Sequence, residues 1–160
     1  MNIIIAIVIL TAYIVTVCIV NKQIPSSLSA SVFFLPAKGV CIWSVVIAAV
    51  VFLMVPTYIE KTSDTVKFLA FLACAGLLFV GGAPLVRDRG DMAYKVHLGG
   101  AVLCAVSSQV LLAIDNGWLL LSWVPWICAF VWITKEDRWR TGVFWAEMTC
   151  FADTFIFCSI

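Results

Sequence analysis

The sequence predicts an all-α polytopic membrane protein, a bundle of six transmembrane helices with both termini outside. Three observations carry that class. Hydrophobic residues make up 64% of the 160 positions and charged residues only 12%, about half the charged share of a soluble domain. The mean hydropathy is +1.11, so lipid rather than water is the solvent this surface suits. Six apolar runs approach the roughly 20 residues that span a bilayer, at about 3–20, 40–59, 66–86, 96–114, 118–134 and 142–160. They occupy residues 1–160 as one domain, with no room for a soluble one.

The third observation is the distribution of positive charge. Six spans put the connections after helices one, three and five on one face. Those connections hold Lys22 and Lys38, then Arg87, Arg89 and Lys95, then Lys135, Arg138 and Arg140, eight of the ten Lys and Arg residues. Only Lys61 and Lys67 fall on the other face. The positive-inside rule therefore makes loops 21–39, 87–95 and 135–141 cytoplasmic in a multi-pass protein of the cell membrane. The net charge of +1 offers no reason to expect a nucleic-acid partner.

The elements follow in order. Ile3 to Val20 lacks the positive leader and cleavage site of a signal peptide and reads as a retained helix. Pro25 to Pro36 is a serine-rich connection with an apolar Val32-Phe33-Phe34-Leu35 tail, since proline ends helices and serine bonds local backbone. The second helix carries Pro56 near its far end, and Ser63 or Asp64 can cap the third. Gly81, Gly82 and Pro84 weaken the last turns of the third helix. A polar hairpin then leads to Gly99-Gly100, and the glycine pairs on either side of it allow the third and fourth helices to approach closely. Asp115-Asn116-Gly117 forms a tight turn. The fifth helix is expected to kink or break near Pro125, and Lys135 to Arg140 to form a charged turn before the sixth. Tyr94, Trp139 and Trp145 are expected at the inner interface, Tyr58 and Trp118 at the outer one.

Ionisable groups within hydrocarbon are costly and face the bundle interior or a wet cavity. Glu147 lies about two turns into the sixth helix and Asp153 beyond its midpoint; His97 opens the fourth helix and Gln109 lies about three turns further out. Matching depths gives an inner polar layer of His97 and Glu147 and an outer one of Gln109 and Asp153. Ser107, Ser108, Thr149 and Thr154 can add hydroxyls to the outer layer, and Thr149 shares a helix face with Asp153. The candidate ligand pocket is therefore His97, Gln109, Glu147, Asp153, Ser108 and Thr149, between helices four and six. Interhelical hydrogen bonding among the same groups is the structural alternative.

Ser26, Ser27, Ser29 and Ser31 share the expected cytoplasmic face with His97, so a serine nucleophile with a histidine base is a catalytic alternative, although no G-x-S-x-G elbow is present. One histidine cannot supply a multi-histidine zinc site, and neither a metal nor a cofactor is expected. The seven cysteines lack C-x-x-C spacing and read as small apolar packing residues.

Three short pieces resemble the six-helix membrane proteins of the DRAM/FRAG/SFK group and their bacterial counterparts. They are Pro25-Ser26-Ser27-Leu28-Ser29, Val80-Gly81-Gly82-Ala83-Pro84-Leu85 and Val96-His97-Leu98-Gly99-Gly100-Ala101-Val102-Leu103. That resemblance implies a lipid-related membrane role. A more distant likeness is to the membrane hydrolases of the ceramidase/progestin-receptor group, which pair a serine with several histidines where this chain has only His97. The function expected is non-enzymatic: binding or moving a lipid or other small amphiphile from the bilayer through the pocket near helices four and six. The alternatives are a membrane-embedded lipid-modifying enzyme, and a structural subunit that meets an oligomeric or heterologous partner helix in the membrane.

Overall fold

The computed structural model describes residues 2–36, 40–83, 91–132 and 135–160, and every regular element among them is helical. Among the described residues there are six α-helices: α1 Asn2–Asn21, α2 Val40–Lys61, α3 Lys67–Val80, α4 Met92–Asp115, α5 Trp123–Trp132 and α6 Lys135–Ser159. Two 3-10 segments, Ser29–Phe34 and Gly117–Ser122, precede α2 and α5. Among the described residues, three helices are long and apolar enough to cross a membrane: α1, α2 over Cys41–Lys61, and α4. Lys67–Val80 and Gly117–Trp132 are shorter apolar helices. α6 has the length at 25 residues but carries Glu147 and Asp153 within its apolar stretch.

Each inner seam repeats at alternating steps of three and four. In α1 the buried positions are Ile3, Ala6, Leu10, Tyr13 and Val17, while Ile4, Val8, Val15 and Ile19 point outward. An apolar residue on both faces is the pattern of a helix bathed in hydrocarbon. Trp43, Ile47, Val50, Met54 and Tyr58 make the matching seam of α2. The closest approach lies between α3 and α4. A Cβ added at Gly76 would stand 2.5 Å from the Gly100 carbonyl oxygen and 2.6 Å from the Cys104 nitrogen, both backbone atoms. A Cβ on Gly100 would stand 2.5 Å from Phe79 Cβ. Small residues at such a crossing let backbones touch, the main source of helix association in lipid. Of the two glycine pairs expected to do this, only Gly100 takes part in the α3–α4 contact; nothing lies within 4 Å of a Cβ on Gly99. Gly76 is its real partner.

Hydrogen bonds fix the two ends. At one end Trp43 Nε1 donates to the Val80 carbonyl (3.1 Å) and Ser44 Oγ to that of Gly81 (2.8 Å), so α2 and α3 run antiparallel. At the other end Asp115 accepts from the Ser63 nitrogen (2.9 Å) and hydroxyl (2.6 Å), clamping the end of α4 to the turn before α3. Tyr58 and Phe157 meet there edge to face at 5.9 Å.

Several boundaries differ from the sequence expectation. α6 begins at Lys135, so the charged turn expected over 135–140 is helix; Lys, Glu and Arg are good helix formers, and neither glycine nor proline interrupts them before Gly142. α4 begins at Met92 rather than Val96, placing His97 more than a turn inside it. α3 ends at Val80, at the glycine pair. Pro125 breaks nothing, because it is the third residue of α5, where the first-turn nitrogens have no intrahelical acceptor. The change of path comes just before, where the 3-10 segment passes into α5. Neither Ser63 nor Asp64 caps α3, which starts after Val66 without a side-chain cap. Asp64 pairs instead with Lys67 three residues on, and that bond holds its carboxyl below the ordinary carboxylate value. Tyr58 is fully buried in the core rather than an interfacial anchor. Lys38, Arg87 and Arg89 lie outside the described residues, as do the side chains of Lys135, Arg138 and Trp139.

Candidate functional site

Two polar clusters lie inside the bundle. The first is built on the connection between α1 and α2, where buried Pro25 and the 3-10 segment fold the serine-rich stretch back over the helix ends. Three helices grip it. Tyr13 of α1 is hydrogen-bonded through its hydroxyl to Ser31 Oγ at 2.8 Å. His97 Nε2 of α4 is hydrogen-bonded to Ser29 Oγ at 3.1 Å. The Leu28 nitrogen donates to a carboxylate oxygen of Glu147 in α6. One turn earlier in α6, the Phe144 nitrogen donates to the Ser26 carbonyl at 3.2 Å. Ser27 Oγ completes the loop by accepting from the Ala30 nitrogen at 3.0 Å and meeting Ser29 Oγ at 3.3 Å. Among the fully buried side-chain atoms described in this cluster, only His97 Nδ1 makes no hydrogen bond of ordinary geometry.

The second cluster is deeper and lacks such closure. Asp153 is 0% exposed, and both its carboxylate oxygens are without a hydrogen-bond partner. The Ser122 hydroxyl lies beside it without making a hydrogen bond of ordinary geometry. The next residue, Trp123, donates through Nε1 to Gln109 Oε1 at 2.9 Å, while Gln109 Nε2 is buried and unpaired. Three polar side chains on α4, the 3-10 segment and α6 therefore converge with unused bonding capacity. Buried polar groups in native proteins are nearly always satisfied, so these open groups set the second cluster apart from the first.

A groove of about 460 Å³ runs between α5 and α6, within the range of small-molecule sites. Trp126, Phe130 and Trp145 supply its apolar walls, and Ser122 and Thr149 its hydroxyls. Trp126 stacks on Phe130 with centroids 5.0 Å apart and 20° between planes, and meets Trp123 edge on at 5.4 Å. Gly142 makes room for Phe130, whose ring would stand 2.8 Å from an added Cβ. Ser122 belongs both to the groove wall and to the surroundings of Asp153.

The six residues singled out from the sequence are thus distributed. His97 and Glu147 meet the same serine loop, one through Ser29 and the other through the Leu28 nitrogen. Gln109 and Asp153 neighbour adjacent residues, Trp123 and Ser122. Thr149 lines the groove, its hydroxyl donating to the Trp145 carbonyl at 3.0 Å. Ser108 stands apart: it donates to the Ala105 carbonyl at 3.1 Å and lines a separate cavity of about 40 Å³ with Tyr58, Cys74 and Cys104. That cavity admits only a water-sized guest. The larger space adjoins α5 rather than lying between α4 and α6, and Ser122, Trp126, Phe130 and Trp145 were not among the expected site residues. The tryptophan spacing of the fifth run was the available signal.

None of the seven cysteines forms a disulfide. Among the described residues, no three His, Cys, Asp or Glu side chains gather as a metal site. No protein-family model, curated protein or solved structure matches the chain.

Proposed function

We propose that the chain is a six-span membrane protein that binds or moves a small amphiphile, held in the groove between α5 and α6 with its polar end toward the Asp153 cluster. Both termini face outside, and the serine loop lies on the cytoplasmic side with most of the positive charge. The observation that carries the binding site is the groove itself: a space of about 460 Å³ with aromatic walls, one of whose lining residues, Ser122, also neighbours the enclosed Asp153. An apolar tail gains by leaving lipid only where rings and hydroxyls match its shape, and a polar head gains where buried groups lack partners.

Titration of the purified protein in nanodiscs with dodecyl maltoside and dodecyltrimethylammonium, read by tryptophan emission, tests this reading. Saturable binding lost in Trp126→Ala together with Trp145→Ala supports it; purely linear partitioning that those substitutions leave unchanged removes it.

One distance favours a second function. Ser29 Oγ and His97 Nε2 are 3.1 Å apart, the separation of a nucleophile and its general base, as an acyl-transfer enzyme acting on lipid would require. Ser29 is 8% exposed, and the described residues place no carboxylate in hydrogen bond with His97 Nδ1. Covalent labelling of Ser29 by a fluorophosphonate, abolished in His97→Ala, would favour this enzyme; an unlabelled Ser29 would set it aside.

A further inference from the structure

We infer that the groove selects cations, with Asp153 as the counter-ion of a ligand that joins an apolar body to an amine or quaternary ammonium head. The inference rests on the groove being the binding site and adds the charge of its occupant.

Three observations point the same way. First, Asp153 is fully enclosed, and neither carboxylate oxygen makes a hydrogen bond of ordinary geometry, although the Ser122 hydroxyl lies beside them. An ionised carboxylate in that position is strongly unfavourable unless a positive charge or several donors reach it. No Lys, Arg or His among the described residues bonds to it. Second, among the described residues the groove walls carry no charged side chain; their polar residues are Ser122, Thr141 and Thr149. Among those residues an anionic head finds no cation, and a zwitterionic head satisfies only its positive half. Third, the rings of Trp126, Phe130 and Trp145 present π-faces and edges around the route, and indole is the best cation–π partner among side chains.

Ser122 is the hinge of this arrangement, because it lines the groove and also neighbours Asp153. A head group entering along α5 reaches the Ser122 hydroxyl, then the carboxylate. Gln109 is oriented by Trp123, which occupies its Oε1. Its free Nε2 can donate only to an acceptor, so it supports the carboxylate or a hydroxyl on the ligand rather than the cation itself.

The test compares ligands that share one tail. Dodecyltrimethylammonium, dodecyl maltoside and dodecyl sulfate are titrated into the wild-type protein in nanodiscs of uncharged lipid, where bulk charge attraction is absent. The ammonium amphiphile is expected to bind at least about tenfold more tightly than the other two. Asp153→Asn is expected to abolish that preference, so that the affinities for the three heads converge. Equal affinity for all three heads in wild type, or a preference that survives Asp153→Asn, overturns the counter-ion and leaves the groove standing. If none of the three binds saturably, the groove reading itself fails. The head-group comparison in wild type needs no variant and therefore does not depend on whether Asp153→Asn folds.

Discussion

The serine loop and the Asp153 cluster are made of the same materials and finished differently. Each has a carboxylate from α6, a polar side chain from α4 and a serine from a 3-10 segment. Around the loop, Glu147 accepts a backbone N–H, His97 meets Ser29 and Tyr13 meets Ser31. Around Asp153, two carboxylate oxygens, one amide nitrogen and one hydroxyl are left over. In lipid, where water cannot make up the difference, a closed cluster acts as a fastener, and the function proposed above makes the open one a socket. Chemistry at the residue level does not separate them; the neighbours do.

Substitutions can test how deep that contrast runs. The largest effect is expected where both clusters take their common frame, at the α3–α4 crossing. Gly76→Leu forces side-chain atoms into backbone 2.5 Å away and should cost about 3 kcal/mol or more, seen as loss of a folded monodisperse protein in mild detergent. Next comes Glu147→Ala, which strands the Leu28 N–H inside the fastener and should destabilise by about 1–3 kcal/mol, measured by denaturant unfolding in bicelles. Asp153→Asn should do the opposite. Removing an unpaired buried charge without changing its shape should raise stability by about 1 kcal/mol. Equal signs for those two substitutions would erase the distinction between fastener and socket. Smallest is Tyr13→Phe, which removes one bond to Ser31 and should cost about 0.6 kcal/mol, typical of interhelical bonds in lipid.

Much of the architecture is legible in the chain because membrane helices announce themselves by composition. Depth matching along a rise of about 1.5 Å per residue also paired His97 with Glu147 and Gln109 with Asp153, and each pair does converge on one segment. What escaped was decided by distant neighbours. Gly76 is an unremarked glycine in an apolar run until Gly100 and Cys104 face it. Ser122 matters only because α6 brings Asp153 beside it. The start of α6 is hidden for a different reason: polarity marks turns, but charged residues with long side chains favour helix as well. The groove was likewise hidden, since tryptophans at helical spacing look the same whether they meet lipid, core or ligand.

The bond between the Leu28 nitrogen and Glu147 spans 119 residues, and that separation has a consequence in time. During synthesis at roughly 5–20 residues per second, about 6–24 s pass between the appearance of the loop and that of its partner. Through that interval the serine loop has Tyr13, already made, and later His97, but neither Glu147 nor the Phe144 nitrogen. The helix that latches the connection between α1 and α2 thus emerges long after it, so a chain stopped before α6 is left with an unbolted α1–α2 hairpin for quality-control proteases to find.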